Sequence, residues 1–152
     1  MPEQVNVAVV GCGGMAQHYL GVYRDLPWVR VRACIDTNRD AAQRAAKMLR
    51  AEVATADFAA ALTPDNHAVI INTPNDFHRE QAIAAINAGK HILLQKPVAA
   101  NLADAKAIAE AAGNSDVISG LYMSYFDQPL IHDLRDLLAS GAIGSQSIFM
   151  HG

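Results

Sequence analysis

The chain alternates between short apolar runs and stretches in which apolar residues recur at helical spacing. Val5–Val10 is an apolar run that predicts a buried strand. A helix is predicted after it, ending before Pro27, with one apolar face made of Met15, Tyr19, Val22, Tyr23 and Leu26. Val29–Ile35 predicts a second strand, and the sequence TNRD then predicts a helix capped by Thr37 and extending to about Leu49.

The same alternation continues along the rest of the chain. Strands are predicted at 51–55, 68–71, 92–94 and 117–119, and helical stretches between them at 57–62, 76–88 and 102–112. Strands that alternate with helices predict an α/β fold, with a doubly wound parallel sheet covered on both faces. Near the end, a helix with one apolar face is predicted from Pro129 to Gly141, followed by a strand at 145–150.

Composition narrows the class of protein. A chain of 152 residues with 51% hydrophobic residues is long enough for a globular domain with its own core. Because 12 Lys and Arg stand against 15 Asp and Glu without a basic cluster, we expect no nucleic-acid partner. No apolar run has the length of a membrane span and the start has no signal-type core, so no membrane partner and a cytoplasmic location are expected. Cys12 and Cys34 lie in or beside apolar runs and are interpreted as small buried residues, with no metal site.

The candidate chemistry begins in the stretch VNVAVVGCGGMAQHYL, where the first strand passes into the first helix. Gly11, Gly13 and Ala16 fit the pattern G-x-G-x-x-G/A. In that pattern the first glycine allows a tight turn, the second lets a pyrophosphate approach the backbone, and the small third residue lets the helix pack on the strand. The open amides at the helix start, together with its dipole, would hold the diphosphate. The turn therefore predicts a Rossmann-type dinucleotide site that also includes Gly14 and Met15.

An acidic residue strengthens this prediction. Asp36 ends the second strand, 20 positions after Ala16, where a carboxylate can hydrogen-bond both ribose hydroxyls of an adenosine. A purely local role for Asp36, starting a turn with Thr37, is the alternative. A carboxylate here repels a 2′-phosphate, so NAD is predicted over NADP, although Arg39 is close enough in sequence to accept a phosphate.

Two later segments carry a family resemblance: INTPNDFHREQAIAAINAGKHILLQKPVA at 71–99 and GLYMSYFDQPLIHDLRDLLASGAIG at 120–144. With the glycine turn they resemble the glucose-fructose oxidoreductase/inositol dehydrogenase (Gfo/Idh/MocA) family, in which TP-x-x-x-H, AG-K-H and E-K-P occur in this order. The resemblance implies a dinucleotide-binding domain followed by an open-faced α+β sheet domain that carries most of the substrate site. We accordingly expect a Rossmann domain at 1–120, with 121–152 forming a connecting helix and the first strand of the otherwise absent second domain.

The resemblance also implies site residues. Thr73, Pro74, Asn75 and His78 would line the cofactor groove after the fourth strand, and Gln95, Lys96 and Pro97 would do so after the fifth. Lys96 would be the catalytic residue, since an ammonium beside a substrate hydroxyl can stabilise a developing alkoxide or relay a proton. For His78, a structural hydrogen bond to backbone is an equal alternative. The predicted cofactor site comprises Gly11, Gly13, Gly14, Met15, Ala16, Asp36, Thr37, Arg39, Thr73, Pro74, Asn75, His78, Gln95, Lys96 and Pro97.

The chain departs from the family pattern in several places. Gln95 replaces the glutamate before the lysine, which removes a carboxylate that would pair with Lys96. Tyr125 stands where many relatives carry an arginine before Phe-Asp-Pro. The histidine-containing motif that supplies the general base in many members belongs to the second domain, and neither His132 nor His151 is expected to replace it.

The leading functional hypothesis is the nucleotide-binding part of an NAD(P)-dependent oxidoreductase. It would transfer hydride between a sugar, polyol or related hydroxyl compound and nicotinamide, and these 152 residues alone are expected to be inactive. A non-catalytic NAD-binding or sensor module is the alternative. A methyltransferase is a third, disfavoured by the TP-x-x-x-H and QKP segments. Homo-oligomer formation is left open.

Overall fold

The computed structural model describes residues 4–123 and 128–142. The chain divides into two compact units, Met1–Tyr122 and Met123–Gly152. The division into a domain at 1–120 and the start of another at 121–152 stays a prediction. The expected strand at 145–150, Tyr125 and His151 lie outside the described residues.

The first unit contains a sheet of six parallel strands. The strands are β1 (Val5–Val10), β2 (Val29–Ile35), β3 (Val53–Thr55), β4 (Ala68–Ile71), β5 (His91–Leu94) and β6 (Ser119–Leu121). Their order across the sheet is β3-β2-β1-β4-β5-β6. Strands β2 and β3 lie on one side of β1 and strands β4, β5 and β6 on the other, so the strand order reverses between β1 and β4. Ligands of open α/β sheets bind at such a switch point, beyond the carboxyl ends of the strands.

Helices connect the strands. They are α1 (Gly14–Asp25), α2 (Arg39–Leu49), α3 (His78–Asn87) and α4 (Leu102–Gly113), with short 3-10 helices at Phe58–Ala61 and Asn75–Phe77. The predicted α/β Rossmann-type fold is confirmed. In the second unit, α5 (Pro129–Ala139) begins with proline in its first turn, as predicted, and Gly141 follows it with φ +72°.

Two hydrophobic clusters cover the two faces of the sheet. Val7 and Val9 of β1 point to the cluster that includes residues of α1 and α2. Ala8 and Val10 point to the other cluster, with residues of α3 and α4. Because side chains alternate along a strand, a strand with an unbroken apolar run, as at 7–10 of β1, belongs in the centre of a sheet covered on both sides.

The buried face of α1 differs from the predicted one. The structure buries Ala16, Leu20 and Tyr23, whereas Met15 is 46% exposed and Val22 is 55% exposed. The buried residues follow the same helical spacing but are displaced around the helix axis. The displacement arises because the small side chain of Ala16 faces the sheet, and only a small residue permits close helix packing there.

The cap of α2 is also different. Asn38, and not Thr37, is the N-cap, because its Oδ1 accepts hydrogen bonds from the N–H groups of Asp40 and Ala41. Thr37 lies one residue before the cap and is exposed. An asparagine cap satisfies amides that have no partner within the helix.

Three other elements are shorter than predicted or displaced along the chain. Strand β3 begins at Val53 because the preceding residues form the end of α2, where Arg50 is left-handed at φ 56°. The stretch 57–62 forms a 3-10 helix, with Leu62 N–H bonded to the Ala59 carbonyl. Strand β6 begins at Ser119, since Ile118 N–H bonds to the His91 imidazole rather than to a backbone carbonyl of β5.

Candidate functional site

A groove of about 850 Å³ runs along the carboxyl end of the sheet. It is lined by the glycine turn after β1 and by the residues that follow β2, β4 and β5. Parallel strands bring these segments to one edge although they are far apart in sequence. Of the predicted cofactor residues, all but Ala16, Arg39 and His78 line this groove.

The glycine turn combines a crowded position with an open one. Gly11 has φ +82°, and a Cβ there would lie 2.7 Å from the Asn72 carbonyl carbon and 2.8 Å from Thr73 N. Glycine at position 11 therefore allows the chain that follows β1 to pass close to the backbone that follows β4. A Cβ at Gly13 or Gly14 would meet nothing within 4 Å, so the space in front of them is free for a ligand.

The first amides of α1 have no partner among the residues that the structure describes. Gly13 is the N-cap and provides no side-chain bond, and the first turn contains no acidic residue. The first bond across a full turn is donated by Gln17 N–H to the Gly13 carbonyl, at 3.2 Å. The preceding N–H groups and the positive end of the helix dipole can therefore hold an anionic group such as a diphosphate.

Asp36 is tied to the glycine turn by its carboxylate. Its Oδ2 accepts a hydrogen bond from Cys12 N–H at 2.7 Å, and its Oδ1 accepts one from Asn38 N–H at 2.8 Å. Each carboxylate oxygen has further lone pairs, so the group can still accept bonds from ribose hydroxyls. A purely local role for Asp36, in a turn with Thr37, does not account for the hydrogen bond to Cys12, which is 24 residues away.

A second recess adjoins the groove at Ala56, which lines both. This recess contains Arg39, Gln43 and Asp57, and it measures about 480 Å³. Thr37 lines the groove itself. Arg39 thus lies beside the Asp36 end of the groove rather than in it.

His78 supports the groove wall from behind. It is fully buried, its Nε2 lies 2.8 Å from the Thr73 carbonyl, and its Nδ1 lies 3.0 Å from the Pro97 carbonyl. The ring therefore links the segments after β4 and β5, as the structural alternative predicted. A direct cofactor contact by His78 is not what this geometry favours.

Lys96 lies at the end of the groove opposite Asp36, after β5. It is exposed and lines the groove, and within residues 4–123 and 128–142 no carboxylate lies within 4.0 Å of its ammonium. Gln95 is only 5% exposed, and its Oε1 accepts a hydrogen bond from Lys96 N–H at 2.9 Å. Gln95 therefore orients the backbone at Lys96 without neutralising its charge.

Several groove residues were not predicted from the sequence. They are Val10, Ile35, Ala56, Phe58, Asn72, Phe77, Glu80 and Gln81. Gln81 Oε1 accepts a hydrogen bond from the Thr73 hydroxyl at 2.6 Å, and Phe77 is 51% exposed at the rim. The sequence does indicate Asn72 as a groove residue, because it is the first polar residue after an apolar strand that ends at the ligand-binding edge.

The cysteines have the structural role that was expected. Both are buried, and no disulfide joins them. The hydrogen bond between the Cys34 thiol and Cys12, which favours the protonated form of Cys34, together with burial raises the pKa of the Cys34 thiol far above its usual value. A thiol held protonated in this way is unreactive.

The described residues contain neither a candidate metal site nor a candidate membrane span. None of their His, Cys, Asp and Glu side chains group by three or more in a way that could hold a metal ion. None of the helices in this part of the chain combines the length and apolar character needed to cross a membrane.

The strand order, the glycine turn and Asp36 define the class of protein as a Rossmann dinucleotide-binding domain. Residues 5–123 match the GFO_IDH_MocA family model, described as an oxidoreductase family with an NAD-binding Rossmann fold. The chain belongs to this family, which confirms the resemblance read from its motifs.

Relatives agree with this assignment. The chain is 32% identical over 151 residues to levoglucosan dehydrogenase of Pseudarthrobacter phenanthrenivorans, covering 93% of this chain and 39% of that protein. It is 33% identical over 145 residues to inositol 2-dehydrogenase of Gluconacetobacter diazotrophicus, covering 92% of this chain and 43% of that one. The chain thus spans about two fifths of the length of these relatives.

Solved structures show the same fold. An NAD-binding oxidoreductase from Klebsiella pneumoniae superposes with a TM-score of 0.82 at 32% identity, covering 93% of this chain and 40% of that one. A 3-ketoreductase from Actinomadura kijaniata in complex with NADP superposes with a TM-score of 0.85 at 26% identity, covering 94% of this chain and 46% of that one. These neighbours include a complex with NADP, so the fold by itself does not choose between NAD and NADP.

Proposed function

We propose that the groove binds a nicotinamide dinucleotide and that the protein takes part in hydride transfer to or from a sugar, polyol or related hydroxyl compound. The observation that carries the proposal is the open N-terminus of α1 beside Asp36, with free space in front of Gly13. The named activities of the relatives, dehydrogenation of levoglucosan and of inositol, indicate the class of substrate.

Different residues along the groove would bind different parts of the cofactor and the substrate. The amides at the start of α1 hold the diphosphate, and Asp36 accepts bonds from the adenosine ribose. A bound nicotinamide supplies the hydride acceptor or donor. Lys96, at the other end and without a carboxylate partner among the described residues, stabilises negative charge on the substrate oxygen.

We propose NAD over NADP because Asp36 would repel a 2′-phosphate. The test is calorimetric titration with both cofactors before and after Asp36→Ala. The parent is expected to bind NAD more tightly, and the variant to lose affinity for NAD by about tenfold, the effect of hydrogen bonds to a charged group. Equal affinity for both cofactors that the substitution leaves unchanged would contradict the proposal.

An activity assay tests whether the 152 residues alone carry a complete active site. The protein is incubated with NAD and a panel of inositols, sugars and sugar acids while reduced nicotinamide is followed, with Lys96→Ala as the matched control. We expect the 152 residues alone to give no turnover, since Lys96 is the one catalytic residue proposed for them. Turnover that disappears in Lys96→Ala would show that they carry a complete active site and would contradict that expectation.

A further inference from the structure

Three buried polar atoms on the floor of the groove have no hydrogen-bond partner within residues 4–123 and 128–142. They are Nδ2 and Oδ1 of Asn72 and Nε2 of Gln95. Both residues line the groove. Buried polar groups without partners destabilise a protein, so native structures keep few of them, and each needs a specific explanation.

The two side chains lie next to each other. Asn72 and Gln95 each follow the last residue of neighbouring parallel strands, paired through Ile71 and Leu94. Gln95 N–H also donates to the Ile71 carbonyl at 2.9 Å, which extends the pairing by one step. Residues in register on parallel strands point to the same face of the sheet. Here it is the face covered by α1, since Ile70 and Leu93, two positions earlier, pack there.

The local contacts leave a defined set of donors and acceptors. Gln95 Oε1 already accepts from Lys96 N–H at 2.9 Å, whereas its Nε2 has no partner among the described residues. Neither atom of the Asn72 amide has one there either, and rotation about its terminal torsion is soft. The pair therefore has two NH₂ donor groups and one acceptor without partners, all uncharged, beside Lys96.

We propose that Asn72 and Gln95 form a subsite for the primary carboxamide of a bound nicotinamide. The carboxamide oxygen accepts from Asn72 Nδ2 and Gln95 Nε2, and the carboxamide NH₂ donates to Asn72 Oδ1, so one group satisfies all three atoms. A carboxylate ligand would leave Asn72 Oδ1 facing another acceptor. This inference rests on the proposed function, because it requires the nicotinamide to lie at the Lys96 end of the groove.

The test compares NAD with ADP-ribose, which lacks the nicotinamide, by calorimetric titration of the purified protein. Asn72→Leu and Gln95→Met keep the approximate volume of each side chain and remove its amide. Each is expected to weaken NAD binding about three- to tenfold, the worth of one or two neutral hydrogen bonds, while ADP-ribose affinity changes less than about twofold. If the parent protein binds NADP more tightly than NAD, the same comparison is made between NADP and 2′-phospho-ADP-ribose.

Asn66→Leu is the matched control. Asn66 is also buried and its Oδ1 also has no partner among the described residues, but it precedes β4 and its Nδ2 donates to the carbonyls of Ala60 and Ala61. This substitution should lower the melting temperature without changing the ratio of NAD to ADP-ribose affinity. Asn72→Leu should leave the melting temperature of the ligand-free protein unchanged or raised, because it removes unpaired polar atoms.

The outcomes separate the two proposals. An unchanged affinity ratio in both groove variants, with ADP-ribose still bound, overturns the carboxamide subsite and leaves the proposed function standing. Destabilisation by Asn72→Leu equal to that by Asn66→Leu, without a change in ratio, would likewise show that the amide is only structural. A parent protein that binds neither ligand overturns the proposed function and this inference with it.

Discussion

Gly11 and Gly13 are two residues apart, but they are glycine for different physical reasons. Gly11 is required by the chain itself, since its φ of +82° and the backbone of Asn72 and Thr73 leave no room for a side chain. Gly13 has extended backbone angles that any residue can adopt, with φ −74° and ψ −165°, and open space in front of it. The fold therefore does not require glycine at position 13, and we expect its missing side chain to leave room for a ligand.

This difference gives a paired prediction. Gly11→Ala should destabilise the protein by about 2 kcal/mol or more, through strain and contact with the neighbouring backbone. Gly13→Val should change the free energy of unfolding by no more than about 1 kcal/mol, yet abolish nucleotide binding because its side chain fills the diphosphate space. Urea unfolding and NAD titration of both variants are the measurements. Normal NAD binding by Gly13→Val would mean that the turn serves packing alone.

At the scale of the element, α2 shows how a single residue fixes where a helix begins. Asn38 accepts bonds from the amides of Asp40 and Ala41, while Thr37 lies outside the helix and makes no cap. Both residue types are good caps, and the sequence spacing favoured Thr37 through Asp40 three residues later. Thr37 lines the groove instead, so its position before the cap leaves it facing the candidate site.

Asn38→Ala should therefore lower the free energy of unfolding by about 1 kcal/mol, the usual worth of an N-cap. Thr37→Ala is the matched control and should leave stability within about 0.5 kcal/mol of the parent. Chemical denaturation of the two variants at neutral pH measures this difference. Equal losses in both would contradict the assignment of the cap.

At the scale of the first unit, buried hydroxyl and thiol groups couple its stability to alkaline pH. Tyr23 of α1 hydrogen-bonds with Tyr122, which follows β6, and the Tyr122 ring also packs against Tyr19. Burial and the bond to Tyr122 raise the pKa of Tyr23 far above its ordinary value of 10.0, and burial raises the pKa of Tyr122. These groups stay protonated in the folded state at pH values where the unfolded chain ionises them.

Stability contributed by a raised pKa is complete below the unfolded value and is lost as pH rises above it. We therefore expect the free energy of unfolding to fall from about pH 9, where the unfolded Cys34 thiol ionises, and more steeply above pH 10. One tyrosine accounts for about 1.4 kcal/mol at pH 11. Tyr23→Phe should reduce the slope above pH 10 in urea unfolding from pH 7 to 11. An identical slope in parent and variant would contradict this coupling.

Much of the fold and part of the site follow from local patterns in the chain. The periods of apolar residues determined the strand and helix order. The glycines at fixed spacing, with Asp36 20 positions after Ala16, determined the dinucleotide-binding turn. These features depend on neighbours in sequence, because backbone conformation and alternation along an element are local properties. Element ends were less accurate, as in β3 and β6, since a strand begins only where another strand is available to pair with it.

The tertiary structure decided what depends on segments distant in the chain. Which face of α1 is buried depends on contact with β1 and β2, and the position of His78 behind the groove depends on the loop after β5. The pairing of Asn72 with Gln95 exists only because β4 and β5 lie side by side. The apolar periodicity of a sequence indicates that a residue is near the end of an element. It does not indicate which other element ends beside that residue, and this pairing of element ends determines which polar groups lie together on the floor of the groove.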